Sequence, residues 1–163
     1  LDLKVQSRSV IAPALERGKK ENKNVVAIEL PNGKIITGKE SKLLSASSAA
    51  IINVLKEITK IPDEVYLLSP SILEAIFKTK QKTSYRTSYS LNVQEVLIAL
   101  SICASTNPII EKVISNIGKL RGCEAHSTYI IEQSELNVIK NDIFYHNRFK
   151  GEILCLVKFF SLF

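Results

Sequence analysis

Eight consecutive residues, Arg121-Gly122-Cys123-Glu124-Ala125-His126-Ser127-Thr128, gather a guanidinium, a thiol, a carboxylate, an imidazole and two hydroxyls into one short stretch. Several chemistries are open to such a set. Arg121, His126, Ser127, Thr128 and the free amides around Gly122 can hold a phosphate or carboxylate through charge-assisted hydrogen bonds. Cys123 has the ingredients of a nucleophile, because His126 or Arg121 nearby would favour its thiolate, and Glu124 is counted with them as a catalytic candidate. The Cys-x-x-His spacing also suits a metal, but two local ligands fall short of a four-ligand site, and no metal is assigned. A purely structural account stands beside these: Cys123 packs as a small hydrophobe, His126 satisfies backbone groups and Glu124 pairs with Arg121. Anion or small-ligand binding ranks first among the functional readings.

A second candidate is Ser47-Ser48, where unpaired amides at a helix start and the helix dipole could hold an anion. Ordinary capping explains the same serines. Lys78, Lys80, Lys82 and Arg86, interleaved with Tyr85 and Tyr89, could stack bases and neutralise phosphates, but no nucleic-acid module surrounds them and a solvated loop is the expectation. Asn92 and Asn107 read as helix caps, and His146 carries no weight.

These groups must be positioned by secondary structure, and the chain carries clear signals for it. Val25–Leu30 and Lys34–Gly38 are β-branched runs around Pro31-Asn32-Gly33, which predicts a hairpin. Apolar residues at 51, 54, 55 and 58 predict a core-facing helix over Ala49–Ile58 behind the serines. Val65–Leu68 reads as a buried strand, and Ser69-Pro70 starts a helix to about Lys80. The run Thr79–Ser90 lacks aliphatic residues and reads as an exposed connection. Asn92 with Glu95 forms a capping pair for a buried helix Val93–Ala104, and Asn107-Pro108 starts another that Gly118 stops. Thr128–Glu132 is expected as a strand and Ser134 as the cap of a short helix to about Lys140. Ile153–Phe163 is an apolar run that would make an aggregation-prone edge if exposed. Residues 1–24, ending in the polar run Arg17–Asn24, read as a leading segment and linker, 25–141 as the α/β domain, and 142–163 as an atypical tail. Strands alternating with helices, opened by a hairpin, predict a three-layer α/β/α sandwich on a mixed sheet.

Composition narrows the class. The 163 residues are 45% hydrophobic and 23% charged, which suits one globular domain. The net charge of +6 comes from 22 Lys and Arg interleaved with 16 Asp and Glu, a weak argument for nucleic acid. Three scattered cysteines, Cys103, Cys123 and Cys155, argue against a disulfide framework and for reducing cytoplasm, and no apolar run reaches the roughly 18–20 residues of a membrane span. The chain has no Met, so it is read as part of a longer protein.

Leu97–Ala104, Thr106-Asn107-Pro108 and Leu120–Thr128, together with Leu30–Gly33 and Ser45–Ala50, closely resemble the bacterial family called domain of unknown function 1846. The resemblance spans about Val25–Asn137, matches the C-terminal portion of longer members, and implies a cytidine-deaminase-like topology. The zinc motif of that topology is absent: Ser45-Ala46-Ser47-Ser48 and Ser69-Pro70-Ser71-Ile72 stand where a His/Cys with Glu and a Pro-Cys-x-x-Cys would be needed, and hydroxyls are poor zinc ligands. Two functions follow as expectations. In one, this C-terminal domain lends the Arg121–Thr128 loop to an interdomain cleft that binds a small anionic, nucleotide-like ligand. In the other it is a non-catalytic oligomerisation or docking domain, with the N-terminal part of the parent protein or a second copy as partner. No cofactor is named.

Overall fold

The computed structural model describes residues 8–83 and 88–143. The helices are α1 (Ile11–Glu21), α2 (Ala46–Thr59), α3 (Pro70–Thr83), α4 (Val93–Ala104), α5 (Pro108–Ser115) and α6 (Gln133–Asn137), and the strands are β1 (Val25–Glu29), β2 (Ile35–Lys39) and β3 (Glu124–Ser127). A 3-10 turn spans Ile117–Leu120 and a wide helical turn spans Val138–Ile143. The protein is thus a mixed helix-and-sheet fold with a small antiparallel sheet.

The hairpin forms as its residues demand. Gly33 takes φ +80°, its amide closes the turn on Leu30 O (2.8 Å), and Asn32 Oδ1 accepts from Lys34 N (3.0 Å). β3 joins the other side of β1, giving the order β2-β1-β3 with Ala27 opposite both Thr37 and His126. Both pairings are antiparallel, so the described sheet is not the mixed one expected. The reason lies at Val65–Leu68, which makes no strand: Val65 N bonds back to Pro62 O (3.1 Å) in a turn, Tyr66 is exposed, and only Leu67 and Leu68 are inserted into the core. The third strand also falls earlier than Thr128–Glu132, because Ser127 Oγ accepts from Tyr129 N (3.2 Å) and turns the chain out of the sheet.

Period-two alternation along β1 divides the interior. Val25 and Ala27 pack with Val10, Ile11 and Ala14 of the α1 region, whereas Val26 and Ile28 face a larger core built from α2, α4 and α5. The polar run beginning at Arg17, expected as linker, is therefore helical through Glu21. Arg17 Nε pairs with Glu21 Oε1 one turn on (3.1 Å), and Asn22 closes the helix in the left-handed conformation. On the other face, α2 lies against β2 so closely that a methyl on Gly38 would stand 2.0 Å from Ala50 N. Ala50, Ile51, Val54 and Leu55 are almost wholly buried there, each large side chain worth about 1.5–3 kcal/mol of burial.

The remaining helices follow their caps. Asn92 and Glu95 form a reciprocal capping box at α4, and Asn107 Oδ1 accepts from Ile109 N (3.0 Å) ahead of Pro108 at α5. α5 stops at Asn116 rather than Gly118, which lies inside the 3-10 turn. The expected exposed connection is helical as far as Thr83, its residues 84–87 fall outside the described residues, and so does the apolar tail Ile153–Phe163.

Candidate functional site

The polar loop is built by a tight turn. Leu120 is buried, Gly122 takes φ +81°, and Cys123 N returns to Leu120 O (3.2 Å), a geometry that asks for glycine at the third position. Arg121 and Gly122 are exposed at its tip. Beyond it, extended backbone sends alternate residues to opposite faces. Cys123 and Ala125 pack against the large core, while Glu124 and His126 lie on the α1 side, opposite Glu29 and Ala27. Cys123 and His126 are three residues apart, an odd number, so thiol and imidazole sit on opposite faces of the sheet and form no dyad. Burial pushes the Cys123 thiol up, away from the thiolate a nucleophile needs.

The other candidates have partners inside the fold. Glu124 pairs with Arg8 Nε (3.0 Å), not with Arg121, and Arg8 Nη2 also donates to Ala125 O (3.2 Å). His126 is half-buried, and burial, followed by the Arg8 charge, lowers its pKa below the ordinary imidazole value. Ser127 Oγ donates to Tyr129 O (2.8 Å), and Thr128 Oγ1 accepts from Val25 N (2.9 Å) while Thr128 N donates to Val25 O (3.0 Å).

The serine candidates belong to a different, more buried cluster. Leu44 and Leu91 form a parallel bridge that starts α2 and α4 side by side, and Ser45 N donates to Leu91 O (3.0 Å). Ser45, not Ser47 or Ser48, is the cap: its Oγ accepts from Ser48 N (3.1 Å) and donates to Glu135 Oε1 (2.8 Å). The same carboxylate oxygen accepts from Val93 N (3.0 Å), so Glu135 of α6 bridges the starts of two helices, where their dipoles favour negative charge. Ser48 Oγ donates to Leu91 O (2.9 Å), and Ser47 Oγ lies 2.9 Å from Tyr129 OH. Burial raises the Glu135 pKa, partly offset by its bonds from Ser45 and Val93, and burial carries Tyr129 to about 12.

No local sequence pattern marks Glu135 and Tyr129 as site residues. Glu135 sits in the first turn of a short polar helix, where a carboxylate ordinarily faces water, and its sequence lacks any mark of the helix starts 42 residues or more away that it joins. The one usable signal was that Leu43-Leu44-Ser45 and Leu91-Asn92 each place a leucine immediately before a cap.

Two surface grooves lie away from all these groups. One, of about 470 Å³, is lined by Ser41, Lys42, Leu43, Glu74, Phe77 and Lys78 among others. The second, of about 430 Å³, is lined by Gln94, Leu97, Ile98, Ser101, Ile102 and Val138. Among the described residues, no three His, Cys, Asp or Glu side chains are placed to hold a metal ion, and no helix is long and apolar enough to cross a membrane. Cys103 and Cys123 are free thiols.

With the geometry in place, comparison with known proteins decides the kinship. The family described as "Domain of unknown function DUF1846, C-terminal" matches residues 6–143. The chain belongs to this family. It is 45% identical over 143 residues to a UPF0371 protein of Clostridium botulinum, 44% identical over 143 residues to one of Clostridium tetani, and 43% identical over 147 residues to one of Fusobacterium nucleatum. Each match covers 83% of this chain but only 28% or 29% of the relative, so the chain spans less than a third of their length. The family is one of unknown function.

Proposed function

We propose that this C-terminal DUF1846 domain is a non-catalytic docking module, and that the outer face of α4 seats the portion of the longer protein that this chain does not span. The observation that carries the reading is on α4 itself. Ile98 and Ile102, one turn apart, are 55% and 67% exposed on the rim of the 430 Å³ groove. Of the residues lining that groove, Gln94, Leu97, Ile98, Ser101, Ile102 and Val138, none is charged, so an apolar partner is suited to it. The chemistry of the β3 loop supports the same reading from the other side, because the groups that would have acted together are separated or already bonded.

The arrangement of α1 on one face of the sheet and α2 on the other is what favours a three-layer α/β/α sandwich with a cytidine-deaminase-like topology. Free thiols fit a reducing cytoplasm. A small-anion site is the second reading, favoured by exposed Arg121 beside the left-handed Gly122. Inorganic phosphate titrated against the chain should shift the Arg121 and Gly122 amide resonances, and Arg121→Ala should abolish the shift.

Hydrogen exchange distinguishes the docking reading. In the intact longer protein, amides 93–104 should exchange more slowly than in this chain alone, and Ile98→Glu with Ile102→Glu should restore the faster exchange. Equal protection in both proteins would end the proposal.

A further inference from the structure

The two edges of the sheet are finished differently. At β2 the outward carbonyl of Thr37 accepts from Arg17 Nη1 of α1 (3.2 Å) and from Asn53 Nδ2 of α2 (2.9 Å), so side chains from both covering helices close that edge. At β3 the bond from Thr128 N to Val25 O sets the phase: Thr128, His126 and Glu124 turn their backbone groups toward β1, and alternation turns those of Ala125 and Ser127 outward. Ala125 O accepts from Arg8 Nη2 (3.2 Å), but the amides of Ala125 and Ser127 have no partner among the described residues. An edge with unpaired donors is a template for another strand.

We propose that the β3 edge pairs antiparallel with the same edge of a second copy of this chain, Ala125 opposite the twin's Ala125, so that two three-stranded sheets become continuous. Hydrogen-bonding complementarity between facing side chains chooses the register. A two-fold axis through the sheet keeps like faces together, and Ala125 can meet an outward residue of the twin's β3 in two ways. In one, Ala125 opposes the twin's Ala125, Cys123 opposes Ser127, and Glu124 stands across from the twin's His126, twice. In the other, Ala125 opposes Ser127 and the two His126 rings face each other. The first sets carboxylate against imidazole in the closely spaced, non-hydrogen-bonded position, and the second sets like against like. Arg8 need not leave, because its bond uses one of the two lone pairs of Ala125 O.

This surface differs from the α4 groove, and the inference does not rest on the docking reading. A strand of this length buries far less than the roughly 1,200 Å² of a stable interface, so the pairing is weak and concentration-dependent.

The test uses the full chain. Ser127→Cys places a new thiol opposite the twin's native Cys123. Within one copy the two positions are about 13 Å apart along extended backbone, too far for a disulfide. In a glutathione redox buffer a covalent dimer should form, with peptide mass spectrometry locating the link between positions 123 and 127, and Cys123→Ser should abolish it. Monomer alone, or a dimer linked through other cysteines, overturns the proposal. A second measurement does not depend on the new thiol: Glu124→Lys should weaken dimerisation roughly tenfold by sedimentation equilibrium, and adding His126→Glu should recover most of the loss. Failure of the double variant to recover, with folding confirmed by circular dichroism, likewise overturns it. Ile98→Glu leaves the cross-link intact, so the two surfaces stand or fall separately.

Discussion

Replacing Gly38 by alanine tests how the helix that carries the serine cluster is seated. The added methyl would stand 2.0 Å from Ala50 N, 2.4 Å from Ala50 Cα and 2.5 Å from Ala49 C, all of them backbone atoms of α2 that cannot swing aside. Carbon atoms rest at about 3.5–4.0 Å, so α2 must retreat from β2 by more than an ångström or the strand must bend away. Either movement loosens Val54 and Leu55 in the core and stretches the bonds from Ser45 to Glu135 and from Ser48 to Leu91. Forced overpacking costs about 1–3 kcal/mol and occasionally more, and restricting the unfolded chain returns at most about 1 kcal/mol. With backbone as the obstacle, the net loss is about 2–3 kcal/mol, which in a domain of this size lowers Tm by roughly 6–10 °C. Circular dichroism melts and the urea midpoint measure it. Gly118→Ala is the control, since a methyl there meets nothing within 4 Å. If Gly38→Ala melts within about 2 °C of the parent, α2 does not rest on β2 as described and the seat of the serine cluster is wrong.

Other outcomes follow from the buried polar groups. Glu135→Ala leaves the Ser45 hydroxyl and the Val93 amide without their acceptor and should cost about 2–4 kcal/mol by urea unfolding, whereas Glu135→Gln keeps an acceptor oxygen and removes a buried charge. Because the folded Glu135 pKa lies above the ordinary 4.5, its contribution is fully present below that value and lost as pH rises, so the Gln variant should gain on the parent between pH 4 and pH 7, and a Gln variant as weak as the Ala one would show the charge to be needed. His126 has the opposite sign: its folded pKa is below 6.5, so stability present above 6.5 is lost as pH falls through the lower folded value, and His126→Gln should flatten that acid slope in a melting series. Tyr129 holds its proton to about 12 against an ordinary 10, so stability should persist to pH 10 and fall between 10 and 12, a decline that Tyr129→Phe removes.

What could be read from residues alone was whatever is local. The hairpin at Asn32-Gly33 and the capping box of Asn92 and Glu95 are complete within a few residues, so their side chains announce them. Val65–Leu68 failed because four apolar residues do not reveal whether they pair as a strand or plug a core from a turn, and only contact with the rest of the chain decides. The helix at Arg17–Glu21 was hidden by its polarity, since its few apolar residues lie outside that run and its own support is an ion pair one turn apart.

The arrangement of the candidate site is hidden in the sequence for a sharper reason. Residue types between Arg121 and Thr128 suggested chemistry, but function depends on phase, and phase is set by which residue opposes Ala27 of β1. Once His126 occupies that position, strand alternation assigns every neighbour: Glu124 to Arg8, Ala125 and Cys123 to the core, Thr128 to Val25. One hydrogen-bond register therefore makes a loop of reactive residue types into the outer strand of the described sheet. Among the described residues, that phase leaves the amides of Ala125 and Ser127 on the outer side of β3 without a partner.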